Sequence, residues 1–271
     1  MKLTDWVKPY QLKPNGKVSL KSFDPREKSG WNKTDASDRL ALNTARIDEL
    51  SYKLYAENRR SLLIVLQGMD TAGKDGTIRA VMRGLDPSSC QVKAFKQPSV
   101  TERDHDFLWR IHQNVPARGN IGIFNRSHYE DVLVVRVHGL VEPQVWQSRY
   151  RRINEFEALV SEGGVTILKF FLHISEEEQL ERLQARLNNP HKRWKFSKAD
   201  VSERKLWDAY QLAYEDALSK CGTDVAPWYL IPADRKWHRN LVVSEIVKCQ
   251  LESIDPQFPP CEEGLDEVKL S

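Results

Sequence analysis

One stretch constrains this chain more than any other: Leu62 to Gly76, reading L-L-I-V-L-Q-G-M-D-T-A-G-K-D-G. The aliphatic run from Leu62 to Leu66 predicts a fully buried strand. It breaks at Gly68, and Gly73-Lys74 follow at the spacing of a phosphate-binding loop, with a helix expected from Lys74 onward. Gly68 and Gly73 let backbone N–H groups wrap a phosphate at the positive end of that helix, and Lys74 adds a point charge. One position departs from the common G-x-x-x-x-G-K-[ST] pattern. Asp75 stands where a magnesium-holding hydroxyl is usual, and a second carboxylate, Asp70, sits inside the loop. A plain helix cap is the competing reading of Asp75.

Around this stretch, helical and extended patterns alternate. A helix is expected over Ala36 to Arg60, with Leu40, Ile47 and Leu54 on one face. Another runs from Lys74 to Arg83, and Gln91 to Lys96 reads as a strand. Thr101, with Asp104 three residues on, predicts the N-cap of a helix that Pro116 and Gly119 end. Ile121 to Phe124 reads as a strand, and Val132 to Val137 fits either a strand or a buried helix. A helix over Glu142 to Glu162 precedes a strand over Val165 to His173. Ser175 and Glu178 form a capping-box pattern for a helix to Asn188. One long helix is expected from Ser197 to Lys220, a strand from Pro227 to Ile231, and a last helix from Lys236 to Ser253. About five strands separated by crossovers predict a parallel sheet with helices on both faces. The expectation is one domain over 1–271, with an irregular arm over 1–35 and a Pro-rich, acidic tail over 256–271.

Hydrophobic residues at 40% and charged residues at 29% fit a soluble globular chain. No apolar run approaches the roughly 18 residues that span a bilayer, and the first residues lack the apolar core of a signal peptide. Cys90, Cys221, Cys249 and Cys261 show neither disulfide-like nor zinc-like spacing. The expected location is cytoplasmic, with no membrane partner. The net charge of +3 is uneven, because Glu181 to Lys205 carries eight Lys/Arg against three Asp/Glu. Such a run is either a solvated helical face or a collar for a polyanion.

At the end of the Ile121–Phe124 strand, where a P-loop protein usually places a magnesium-orienting Asp, stands Asn125. An amide is a poor substitute for a hard anionic ligand; Asp70, with Asp75 as a second candidate, could take over the metal from within the loop. Arg126 then points at the same cleft and can neutralise phosphoryl charge, or it pairs with Glu130 one turn on.

Several motifs together closely resemble the polyphosphate kinase 2 family. They are G-M-D-T-A-G-K-D-G (68–76), H-D-F-L-W-R-I-H (105–112), F-N-R-S-H-Y-E-D (124–131), R-W-K-F-S (193–197) and A-P-W-Y-L-I-P-A-D (226–234). His128 and Glu130-Asp131 look most like the class that phosphorylates both AMP and ADP. The resemblance implies a P-loop kinase-like three-layer α/β sandwich with a basic helical lid over about 182–210. It implies Mg²⁺-dependent (or Mn²⁺-dependent), reversible transfer of the terminal phosphoryl group of inorganic polyphosphate to AMP or ADP, forming ADP or ATP. Asp70, Lys74 and Arg126 are the implied catalytic residues, with Asp70 and Asp75 toward the metal and Asn125, Glu130 and Asp131 on the nucleotide side. The phosphate chain is assigned to Gly68, Thr71, Ala72, Gly73, Lys74, Asp75, Gly76 and Arg118, and to Arg186, Lys192, Arg193 and Lys195 of the lid. A homodimer or homotetramer is implied as well.

Two other functions are compatible with a P-loop. An ATP-dependent kinase of a nucleotide or small molecule is disfavoured by the missing Ser/Thr after Lys74 and by the concentrated basic segment. A non-catalytic nucleotide switch or nucleic-acid-binding module should carry guanine-reading residues after the loop. The N-K-x-D match at Asn32–Asp35 lies before the loop and opens a helix, so no nucleic-acid partner is expected.

Overall fold

The computed structural model describes residues 1–264. Five strands form one parallel sheet in the order β2-β3-β1-β4-β5. They are β1 (Ser61–Gln67), β2 (Cys90–Ala94), β3 (Ile121–Asn125), β4 (Val165–His173) and β5 (Trp228–Pro232). Every residue of β1 and β5 is buried, as are eight of the nine in β4, and these continuous apolar runs are what a parallel sheet covered by helices demands. The register pairs Leu62 with Ile121 and Thr166, so β1 is central and its end points at the crevice where strand order reverses.

The long helices are α1 (Lys33–Glu57), α6 (Pro143–Glu162), α7 (Glu176–Asn188), α9 (Trp207–Lys220) and α10 (Lys236–Ile254), with α2 (Lys74–Val81) after the loop. Asn32 caps α1 by accepting from the N–H groups of Thr34 and Asp35, which is the actual use of the N-K-x-D match. Helix α10 is buried along most of its length, and α1, α2 and α10 pack together beside the sheet. The arm is irregular, as expected, but firmly tied. Gln11 pairs antiparallel with Tyr229 at the β5 edge, while the N–H groups of Val18 and Leu20 donate to Ser219 and Glu215 of α9. Phe258 of the tail packs edge-on against Tyr52 of α1; residues 265–271 of the predicted tail lie outside the described part.

Three expectations are corrected and one open alternative is resolved. The helix after β2 begins at Ser99, not Thr101: Ser99 and Glu102 make the capping box, and only two short pieces form, α3 (Val100–Arg103) and α4 (Trp109–His112). Val132 to Val137 is not a strand; it enters α5 (Val134–Val137), with Val132 and Leu133 buried. The predicted Ser197–Lys220 helix is two helices, α8 (Lys198–Arg204) and α9, broken at Lys205-Leu206. At α7, Ser175 accepts from the Glu178 N–H, but the Glu178 carboxylate turns to Arg182, so the reciprocal half of the capping box is missing.

One buried cluster fixes the segment after β3. Lys169 of β4 donates to Glu157 (2.6 Å), Tyr129 (2.8 Å) and the Cys221 carbonyl (2.6 Å), and Glu157 also meets His128 at 3.1 Å. Against burial, Lys169 and His128 hold the Glu157 carboxyl below its usual range. Lys169 and Glu157 are almost fully enclosed, and losing one partner would strand the other charge. Lys169→Met should therefore lower the unfolding free energy by about 3–5 kcal/mol in urea titrations, with the paired change Lys169→Met/Glu157→Gln losing less than Lys169→Met alone.

Candidate active site

A loop that turns its N–H groups inward must turn carbonyls outward, and buried carbonyls require donors. Each has one here. Arg182 donates to the carbonyls of Thr71 (2.9 Å) and Ala72 (3.2 Å) and, with its other nitrogen, to Ala233 (2.7 Å) and Asp234 (2.8 Å). Arg239 of α10 also donates to Ala72 (3.0 Å), and Gln179 to Asp70 (3.3 Å). Gly73 has φ +103°, and a Cβ there would lie 1.9 Å from an Arg239 nitrogen; glycine is required both for the turn and for this close approach. Burial, then the Arg182 charge, pushes the Arg239 pKa below its ordinary value.

Inside the loop, buried Lys74 donates to the carbonyls of Gly68 (2.7 Å) and Met69 (3.2 Å). Burial, followed by the charge of Arg126, pulls its pKa down to about 8 despite the nearby Asp70 and Glu130.

Arg126 leaves β3 in the left-handed region, φ +64°, an uncommon conformation for a side-chain-bearing residue. Its backbone N–H still donates to Leu66 of β1, which pins the bend. The guanidinium pairs with Asp70 at 3.0 Å and Glu130 at 3.5 Å. The pairing with Glu130 is thus realised, and the same side chain lines both clefts. Beside it, Asn125 donates to Asp75 (2.7 Å), and Asp75 also meets Lys195 at 3.4 Å.

Two clefts meet at the Asp70–Arg126 pair, which lines both. The larger, about 670 Å³, holds Lys74, Lys96, Arg126, Arg186 and Lys195 against Asp70 and Asp75, so five cations face two carboxylates. The smaller, about 260 Å³, is walled by Leu133, Val134, Tyr210 and Tyr214, with Glu130, Asp200 and Glu203 as its further charged groups. Glu203 accepts from the Tyr210 hydroxyl (2.7 Å) and meets His138 (3.0 Å) at its far side.

The predicted residues Gly68, Asp70, Thr71, Gly73, Lys74, Asp75, Asn125, Arg126, Glu130, Arg186 and Lys195 line one or both clefts. Ala72 is buried and contributes its carbonyl backward, and Gly76 lies in the first turn of α2 beneath Arg239. Others fall elsewhere. Asp131 is buried against Arg149 (3.1 Å) and near Arg110 (4.0 Å), and burial raises its pKa to about 6; it lines neither cleft. Arg118 is exposed in the turn entering β3, at the opposite end of the sheet from the loop, because every parallel strand presents its carboxyl end to the site. Lys192 and Arg193 line neither cleft; the Arg193 side chain turns back onto the Leu187 carbonyl (2.9 Å).

Sequence reading missed Lys96, Gln179, Tyr210, Glu203 and Arg239, and it counted Arg182 as part of the exposed collar. Arg182 lies one helical turn beyond Glu178 and could be paired with it by spacing, but nothing local marks Arg239. Among the described residues no three His, Cys, Asp or Glu converge as a metal cage. Asp70 is the partly exposed carboxylate shared by both clefts.

A family model of polyphosphate kinase 2 matches residues 30–259. The chain belongs to the polyphosphate kinase 2 family. A protein of Meiothermus ruber described as an AMP/ADP-polyphosphate phosphotransferase is 50% identical over 266 residues, spanning 97% of this chain and 100% of its own. An ADP-polyphosphate phosphotransferase of Rhodopseudomonas palustris is 44% identical, over 93% of this chain and 92% of its own. The crystal structure of polyphosphate kinase 2 from Arthrobacter aurescens superposes with a TM-score of 0.93 at 39% identity, covering 98% of this chain and 96% of that one. The fold is the P-loop kinase-like α/β sandwich of this family, and no helix of the described residues is long and apolar enough to cross a membrane.

Removing Arg182 should disorganise the loop, since each orphaned carbonyl costs about 1–3 kcal/mol. Arg182→Met is expected to lower the melting temperature and weaken phosphate binding together, whereas Arg193→Met should change neither; thermal melts with and without inorganic tripolyphosphate check this.

Proposed function

We propose that this chain transfers the terminal phosphoryl group of inorganic polyphosphate to AMP and ADP, reversibly and with Mg²⁺, forming ADP and ATP. The observation that carries this reading is the meeting of a cationic cleft and an aromatic, acidic cleft at the Asp70–Arg126 pair. A polyanion is attracted to the first and repelled from the second. The second suits a nucleoside, which brings an aromatic base and hydroxyl donors for Tyr210, Tyr214 and Glu203. The names of the relatives from Meiothermus ruber and Rhodopseudomonas palustris agree with this donor and acceptor.

The chemistry follows from placement. Loop N–H groups and Lys74 seat the donor's end phosphate, while Arg126 stands between it and the acceptor phosphate and offsets charge on the transferring group. Attack comes from a phosphate oxygen already ionised near neutral pH, so no strong general base is needed. His128 is buried against Glu157 and His138 is tied to Glu203, in keeping with that requirement. A hard cation fits Asp70, because Mg²⁺ is commonly held by one or two carboxylates plus substrate phosphates; once bound, it would neutralise phosphate charge. Mn²⁺ suits the same oxygen donors.

On this reading, residues about 182–210 are a lid within one kinase domain over 1–271. Arg186 and Lys195 reach the donor cleft from it, and Arg182 at its root braces the loop. A cytoplasmic location, read from composition and cysteine spacing, and a homodimer or homotetramer, read from family resemblance, belong to the same proposal.

The deciding assay supplies polyphosphate as the only donor, with AMP and ADP tested separately. ADP should appear from AMP and ATP from ADP, and failure of ADP to yield ATP refutes the assignment. Asp70→Asn should lose turnover by orders of magnitude with an unchanged melting temperature; near-normal rates in magnesium would remove Asp70 from the mechanism.

Binding should also depend on pH through Lys74. Burial places its folded pKa at about 8, below the ordinary lysine value, so the ammonium is present at neutral pH and is lost as pH rises through 8. A polyanion binds the charged form. Polyphosphate affinity should be full near pH 7 and fall about tenfold per unit above pH 8, measured at constant ionic strength; Lys74→Met should abolish that slope.

A further inference from the structure

In the common P-loop arrangement, a hydroxyl after the lysine faces an Asp at the end of a neighbouring strand. Here the two sides have exchanged character. The acid, Asp75, is on the helix side, and the neutral partner, Asn125, ends β3; they remain bonded across the cleft at 2.7 Å. Donation by Asn125 Nδ2 to Asp75 Oδ1 leaves the Asn125 amide oxygen as its free acceptor. The other Asp75 oxygen, Oδ2, faces Lys195 Nζ at 3.4 Å. Lys195 belongs to the single 3₁₀ turn Arg193–Lys195 at the tip of the segment joining α7 to α8, about 120 residues away in sequence. Both carboxylate oxygens are therefore engaged, one by the sheet and one by the lid tip. Against the opposing effect of burial, Asn125 and Lys195 hold the Asp75 carboxyl below its ordinary range.

We infer that Asp75 is a positioning residue that orients Asn125 and seats the lid tip through Lys195, while Asp70 is the carboxylate left for the cation. The contrast in surroundings supports this division. Asp70 lines both clefts, whereas Asp75 lines the cationic one alone. Arg186 follows the same tip, donating to the Lys195 carbonyl (3.3 Å) and pairing with Asp200 (3.6 Å). Seating Lys195 on Asp75 therefore also fixes where Arg186 enters the donor cleft. An exposed ion pair is weak, which suits a contact that must break for substrate to enter and product to leave. The inference rests on reading 182–210 as a lid over a phosphate-chain site.

A double-mutant cycle on the full-length chain tests it, with amide hydrogen exchange over residues 193–205 measured without substrate or metal. Asp75→Asn and Lys195→Met should each raise exchange about two- to fivefold, the range an exposed ion pair supports. The double variant should exceed neither by much, because the two changes remove one contact. In turnover, Asp75→Asn should raise KM for polyphosphate more than KM for ADP, without changing the magnesium concentration giving half-maximal rate. The exchanged pair Asp75→Asn/Asn125→Asp keeps the hydrogen bond but moves the charge to β3, and its lid exchange should stay raised. Unchanged exchange in Asp75→Asn, additive effects in the double variant, or a shifted magnesium requirement would each overturn the inference. The exchange measurement needs no reaction, so it can succeed even if polyphosphate proves not to be the donor.

Discussion

The structure depends on a simple asymmetry of the peptide group. Backbone N–H groups cannot be gathered around an anion without aiming carbonyls the other way, into a protein interior that offers no water. In this chain the carbonyls of Gly68 and Met69 are met by Lys74 within the loop, and those of Asp70 through Ala72 by Gln179, Arg182 and Arg239 around it. Three of those four donors are cations, so the loop is ringed by positive charge before any ligand arrives. Burial, followed by repulsion from the charge of Arg126 at Lys74 and of Arg182 at Arg239, lowers both pKa values. An anion inside the loop relieves that repulsion, so the groups that satisfy the backbone also prepare the site electrostatically.

The segment after β3 shows the complementary arrangement. Arg126 adopts a conformation that L residues rarely take, and it holds because its neighbours are fixed from behind by the Lys169–Glu157–His128–Tyr129 cluster. Asp131 joins the same support through Arg149 and Arg110. One side chain thus reaches the junction of the clefts while the residues around it carry structural load. The two clefts differ in charge, and Asp70–Arg126 is their common boundary; on the proposed function that difference would distinguish the two phosphate-bearing molecules.

Much of this was legible in the amino-acid sequence where the signal was local. Continuous apolar runs marked β1 and β4, glycine spacing marked the loop, and the reversal of acid and amide at Asp75 and Asn125 marked an unusual site. Helix breaks were less legible. The division between α8 and α9 at Lys205-Leu206 carries no Gly or Pro, and Ser99 lost to Thr101 because both offer a hydroxyl at a plausible spacing. Arg118 was misplaced because basic character says nothing about which end of a strand a residue occupies. Arg239 was invisible for a different reason: its role follows from a contact with Ala72, 167 residues earlier, and no short-range pattern encodes it.

The N-terminal arm has a consequence for how the chain is made. Gln11 lies beside Tyr229, and Val18 and Leu20 bond to α9, across separations of about 200 residues. Residues 11–20 therefore gain these partners only after residues 215–229 have been made. Until then the irregular arm is undocked, and Tyr229 at the β5 edge lacks the bridge to Gln11. Docking of the arm thus rests on long-range contacts, the kind that form slowly and leave unpaired edges vulnerable to aggregation.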